Sequence, residues 1–184
     1  SENDYLDCFQ KMICRLADTE RLADKKIVLL AHTFGRYGDE REYIEKLYAR
    51  LPETIQARMV VITDKIYQTR ARFVLQGGLF TITGRMHAAV STFQGGKPAI
   101  SLSYSTKFRG VIGDSLDQQP LVIEADHDAL WHSGEIVDRV CEKVDGLWSD
   151  YAGLCDRIRN RVKELQQQVS STLDRIAAER LSQK

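Results

Sequence analysis

The feature that most restricts the fold is an alternation: short apolar runs of strand length recur between longer segments with helical spacing. Lys26-Ile27-Val28-Leu29-Leu30-Ala31 is branched and apolar after its first residue, as in a strand covered on both faces of a parallel sheet. Met59-Val60-Val61-Ile62 reads as a second strand, Leu79 to Thr83 as a third, Pro98 to Ser103 as a fourth and Leu121 to Glu124 as a fifth. Ahead of the first strand, Tyr5, Phe9, Met12, Ile13, Leu16 and Ala17 fall on one helical stripe. From Asp39 to Leu51, Tyr43, Ile44, Leu47, Tyr48 and Leu51 repeat with the same period; Pro52 stops the element and its acidic start suits a helix amino terminus. Ile66, Tyr67, Phe73 and Val74 form the apolar side of a further helix closed by Gly77-Gly78, and a short one runs from His87 to Phe93 before Gly95-Gly96. Strands alternating with helices over such short connections require right-handed crossovers. The expected class is therefore α/β: a Rossmann-like open parallel sheet with helices on both faces.

The last third is helical, from about Glu135 to Trp148 and then from about Tyr151 to Leu181. In the second segment Cys155, Ile158, Val162, Leu165, Val169, Leu173 and Ile176 recur at three- and four-residue steps. Such a stripe is expected to pack across its own domain or a neighbour, with a homo-oligomer through this helix as the alternative. At 184 residues the chain suits one domain, residues 1–150 forming the α/β core and 151–181 the terminal helix.

Twenty-six Lys and Arg balance twenty-six Asp and Glu, so no overall field draws the chain to nucleic acid or an anionic membrane, and any anion site must be local. The four cysteines form no C-x-x-C pair, which favours buried free thiols over zinc ligands or disulfides. No apolar run reaches the roughly 18 residues of a spanning helix, and a cytoplasmic location is expected.

In an open α/β sheet ligands bind beyond the carboxyl ends of the strands. Three polar turns occupy that position: His32-Thr33-Phe34-Gly35-Arg36, Thr83-Gly84-Arg85-Met86-His87 and Ser103-Tyr104-Ser105-Thr106-Lys107. The middle one is built for an anion. Gly84 lets the backbone turn tightly near a ligand, Arg85 and His87 open a helix whose first N–H groups favour a phosphate or carboxylate, and a guanidinium adds two parallel hydrogen bonds. An imidazole beside them can carry a proton near neutral pH. Asp126-His127-Asp128 reads as a solvated turn rather than a metal site, and Tyr104 is expected to pack in the core.

The segment from Gly84 to Gly110 resembles the signature of the polysaccharide pyruvyl transferase family. It contains Arg85-Met86-His87 opening a small-residue helix, the Gly96-Lys97-Pro98 turn, an apolar strand, and Ser103-Tyr104-Ser105-Thr106-Lys107. Ile27 to His32 also looks like the family's apolar strand ending in histidine, with Ala31 where proline is frequent. The likeness is strong from Gly84 to Gly110 and holds by pattern alone over the rest of residues 5–145.

The resemblance implies the carboxyl-terminal half of a two-domain, GT-B-like enzyme, with the acceptor-binding amino-terminal domain absent from this chain. It implies transfer of pyruvate from phosphoenolpyruvate to two hydroxyls of a glycan or lipid-linked sugar, forming a cyclic ketal without metal or cofactor, at the inner face of the membrane. His87 would be the catalytic acid, and Arg85, Met86, Lys107, Ser103, Gly84, His32 and Arg36 would bind the donor, with Arg109 as a further cation. Two rivals stand beside it. A sugar-nucleotide-binding half of a glycosyltransferase or epimerase would share the architecture, yet the chain has no G-x-G-x-x-G motif and no well-placed ribose carboxylate. A non-catalytic interaction module would have no use for Arg85, His87 and Lys107 together.

Overall fold

The computed structural model describes residues 2–35 and 39–182, which form an α/β fold. α1 (Glu2–Ala17) precedes β1 (Ile27–Leu30), α2 (Arg41–Ala49), α3 (Glu53–Gln56), β2 (Met59–Ile62) and α4 (Gln68–Gly77). β3 (Thr81–Thr83), α5 (Met86–Gln94), β4 (Ala99–Ser103), α6 (Thr106–Phe108), a π-helical stretch (Arg109–Ser115) and β5 (Val122–Glu124) follow. α7 (Asp128–Ser133), α8 (Glu135–Leu147) and α9 (Tyr151–Ser182) complete the described chain.

The five expected strands are all present and every pairing is parallel, but they are divided between two sheets. β1 pairs with β2, Ile27 opposite Met59, while β4 lies between β3 and β5. Burial explains the division. All five residues of β4 are buried, as apolar strands covered on both faces should be, and the main core surrounds them with Met12 of α1, Phe93 of α5, Val140 of α8 and Ile158 of α9. β1 and β2 do not share that environment: Val28 and Val60 remain 45% and 44% exposed. α4, the connection between the sheets, packs on α5 and leaves Phe73 79% exposed instead of laying that ring on β1 and β2. The expectation of double coverage therefore holds for β4 and fails for β1.

The paired glycines after α5 have two different roles. Gly96 adopts φ +70°, the left-handed conformation that ends many helices, and its Cα faces the Arg159 side chain of α9. Gly95 has an ordinary φ of −82° and lies against Gln76 of α4. α5 is thus clasped between α4 and α9, and the Thr92 and Thr81 hydroxyls share a hydrogen bond at 2.9 Å that ties it to β3.

α9 divides its stripe. Cys155, Ile158 and Val162 are buried against the domain, whereas Val169, Leu173 and Ile176 are exposed. Cys8, Cys141 and Cys155 are buried thiols, Cys14 is half-buried, and all four are free. Among the described residues no helix is long and apolar enough to cross a membrane.

Candidate functional site

Arg85 stands immediately before α5, with extended backbone (φ −101°, ψ 114°), and its N–H donates to Thr83 Oγ1 at 2.9 Å. An arginine cannot cap a helix, because its side chain has no acceptor. Among the described residues no side chain caps the first turn of α5, which leaves its amide donors to a ligand. Met86, the first helical residue, is packed against the core, while His87 is exposed and has no hydrogen-bond partner among the described residues. Gly84 is not in the left-handed region, and a Cβ there would meet only Leu102 O at 3.7 Å. The fold itself does not require that glycine, and its bare backbone leaves the floor of the turn open.

The Arg85 guanidinium donates through Nε to Glu40 Oε1 at 2.7 Å. The other Glu40 oxygen accepts from the backbone N–H groups of His32 at 2.8 Å and Thr33 at 3.1 Å. The acidic start of α2 is expected to favour the helix dipole, but the Glu40 carboxylate makes no capping bond and joins the first and second polar turns. Its only signal in the sequence is an acidic residue soon after a strand-ending histidine.

His32 lies at the same place, half-buried. Burial pushes its imidazole below the ordinary histidine range; the Glu40 carboxylate opposes that shift, and the positive ends of Arg85 and His87 reinforce it. Hydrogen bonds of Glu40 thus bring His32 and Arg85 together at the carboxyl ends of β1 and β3, and His87 lies near enough to act on the His32 charge. Below this cluster a cavity of about 990 Å³ separates the two sheets, lined by apolar residues of α1, β1, α2 and β3, with His32, Glu40, Arg85 and Tyr104 also on its wall. Tyr104 is 60% exposed and meets Phe108 edge to face, so it is a cleft residue and not the core residue expected from sequence.

The third turn contributes less directly. The Ser103 hydroxyl donates to Ser105 O at 3.0 Å, closing its own turn, and Lys107 is exposed with no ion-pair partner among the described residues. Arg109 pairs with Glu124 at 2.5 Å, so its charge is locally compensated. Arg36 lies outside the described residues. Asp126 and His127 are solvent-facing, and His132 Nδ1 is 2.6 Å from Asp4. Among the described residues no cluster of three metal-ligating side chains occurs.

No protein-family model matches the chain, and neither a curated protein nor a solved structure does.

Proposed function

We propose that this chain is the donor-binding, carboxyl-terminal domain of a polysaccharide pyruvyl transferase, with a Rossmann-like core. The observation that carries the reading is the uncapped start of α5, with Arg85 before its first residue and exposed His87 at its second. Phosphoenolpyruvate carries a phosphate and a carboxylate, and this turn offers helix N–H groups and a guanidinium in a chain with no net charge. His32 adds a second imidazole, and Lys107 on the following turn is a mobile point charge for the same donor.

In this scheme His87 gives a proton to the donor's methylene carbon, which becomes a methyl group, and the adjacent carbon becomes electrophilic. A sugar hydroxyl adds there, and its proton returns to the imidazole. A second hydroxyl then replaces phosphate, which leaves with the other proton, and the two new C–O bonds close the ketal. Arg85 stabilises the departing phosphate charge. The acceptor is a glycan or lipid-linked sugar held by a preceding domain, and the reaction belongs at the inner face of the membrane.

Calorimetric titration of the 184-residue chain with phosphoenolpyruvate tests this. Saturable heat is expected, weakened by Arg85→Ala. Heat from a sugar nucleotide and none from phosphoenolpyruvate would sink the assignment. Joined to its acceptor domain, His87→Ala should abolish pyruvylation, typically a loss of at least about 10²-fold, with an unchanged circular dichroism spectrum.

A further inference from the structure

The geometry points to Glu40 as the positioning residue for Arg85, holding the guanidinium so that its Nη1/Nη2 edge faces the anionic donor; this rests on the donor-binding role proposed for Arg85. Glu40 itself is firmly held. Its backbone N–H donates to Thr33 O at 3.1 Å, while Oε2 accepts from the His32 and Thr33 amides at 2.8 and 3.1 Å. Three hydrogen bonds thus fix the residue to the turn after β1, and the remaining oxygen, Oε1, extends to Arg85 Nε at 2.7 Å.

The choice of nitrogen matters. A guanidinium has two edges suited to a planar or tetrahedral anion, one spanning Nε and one Nη, the other spanning both Nη atoms. Glu40 engages Nε alone, so the edge with two parallel donors remains for a phosphate or carboxylate, and among the described residues it has no other hydrogen-bond partner. A long side chain that is 40% exposed loses rotamer freedom when it grips a ligand, and a prior bond at Nε removes part of that loss in advance. The opposing effect is repulsion between the Glu40 carboxylate and an incoming anion. It is moderated because the ligand sits on the edge of the guanidinium away from Nε.

Glu40 also spans the division between the sheets. Its anchor lies at the carboxyl end of β1 and its contact at the carboxyl end of β3, 45 residues later, so the same bond that aims the guanidinium sets the spacing between His32 and Arg85. A lysine at position 85 could not serve both purposes, since a single ammonium has no second edge.

A double-mutant cycle on the full 184-residue chain tests the assignment, with phosphoenolpyruvate and inorganic phosphate as titrants. Glu40→Ala should weaken phosphoenolpyruvate binding about tenfold, the scale of one charge-assisted hydrogen bond. In an Arg85→Ala background the same change should have no further effect, because Glu40 acts through the arginine. Unchanged or tighter binding by Glu40→Ala, or an undiminished loss in the Arg85→Ala background, overturns the inference. Glu40→Gln, which preserves shape, provides a readout independent of ligand: it should shift the Arg85 Nε–H resonance and speed its exchange with water. A resonance that does not move overturns the pairing itself. If the wild-type chain binds neither titrant, the pyruvyl transfer proposal and the ligand half of this inference both fail, while the resonance still decides whether Glu40 holds Arg85.

Discussion

Replacing Gly96 by alanine probes the clasp that holds the site helix. Gly96 has φ +70°, where an L side chain costs roughly 1–2 kcal/mol. A Cβ there would also lie under 3.0 Å from Arg159 Cγ, so Arg159 must change rotamer and release its exposed partner Asp156. An exposed ion pair of this kind contributes only about 0–1 kcal/mol. The conformational cost therefore dominates, and the sum is about 1–3 kcal/mol. For a chain of this length each kcal/mol moves the melting temperature by about 2–4 °C, so Gly96→Ala should lower Tm by roughly 2–12 °C. Gly146, in the last turn of α8, is the control: it has no positive φ and nothing within 4 Å of the place a Cβ would take, so alanine should leave stability unchanged or raise it by less than about 1 kcal/mol. Thermal melts followed by circular dichroism measure both. A Gly96→Ala protein melting at or above wild type would refute the left-handed assignment.

Two further outcomes concern His32 and Tyr43. The depressed His32 pKa means that the unfolded chain takes up a proton more readily, so stability is complete above the unfolded value near ~6.5 and falls as pH drops toward the folded one; His32→Asn should flatten that decline in urea titrations across pH 5 to 7. The Tyr43 hydroxyl is buried without a hydrogen-bond partner among the described residues, and burial raises its pKa, so Tyr43→Phe should stabilise the chain by up to about 1 kcal/mol in urea melts, whereas a loss beyond 1 kcal/mol would reveal a partner.

Where local chemistry decides structure, the sequence is legible. Met59 to Ile62 forms β2 with the expected bounds, because a branched run between helix and loop has few alternatives. α5 likewise begins and ends within a residue of expectation, since Gly95-Gly96 terminates it. α7 is not legible: six residues are too few to display a helical period, although Leu130 and Trp131 within it are buried. The division of the sheet is also invisible, for whether α4 covers β1 or rests on α5 depends on packing between distant segments. At the site, Gly84, Arg85 and His87 stand out through their order along one turn. Glu40 does not, because a contact spanning 45 residues has no local spacing to betray it. Tyr104 is misplaced for the same reason: an aromatic beside an apolar strand looks like core until a cavity is known to lie next to it.

The two parts of α9 live under different thermodynamic conditions. Starting an isolated helix is costly, while lengthening one is nearly neutral for each added residue. Burial of Cys155, Ile158 and Val162, with Leu165 packed against the core beside them, supplies the starting turns, and the residues beyond Leu165 extend from a template already formed. Their helicity then depends on intrinsic propensity, and Val169-Ser170-Ser171-Thr172 is a weak sequence for propagation. Amide protection is therefore expected to rise in steps toward the buried turns, and the clasp on α5 stays insulated from opening of the exposed stretch.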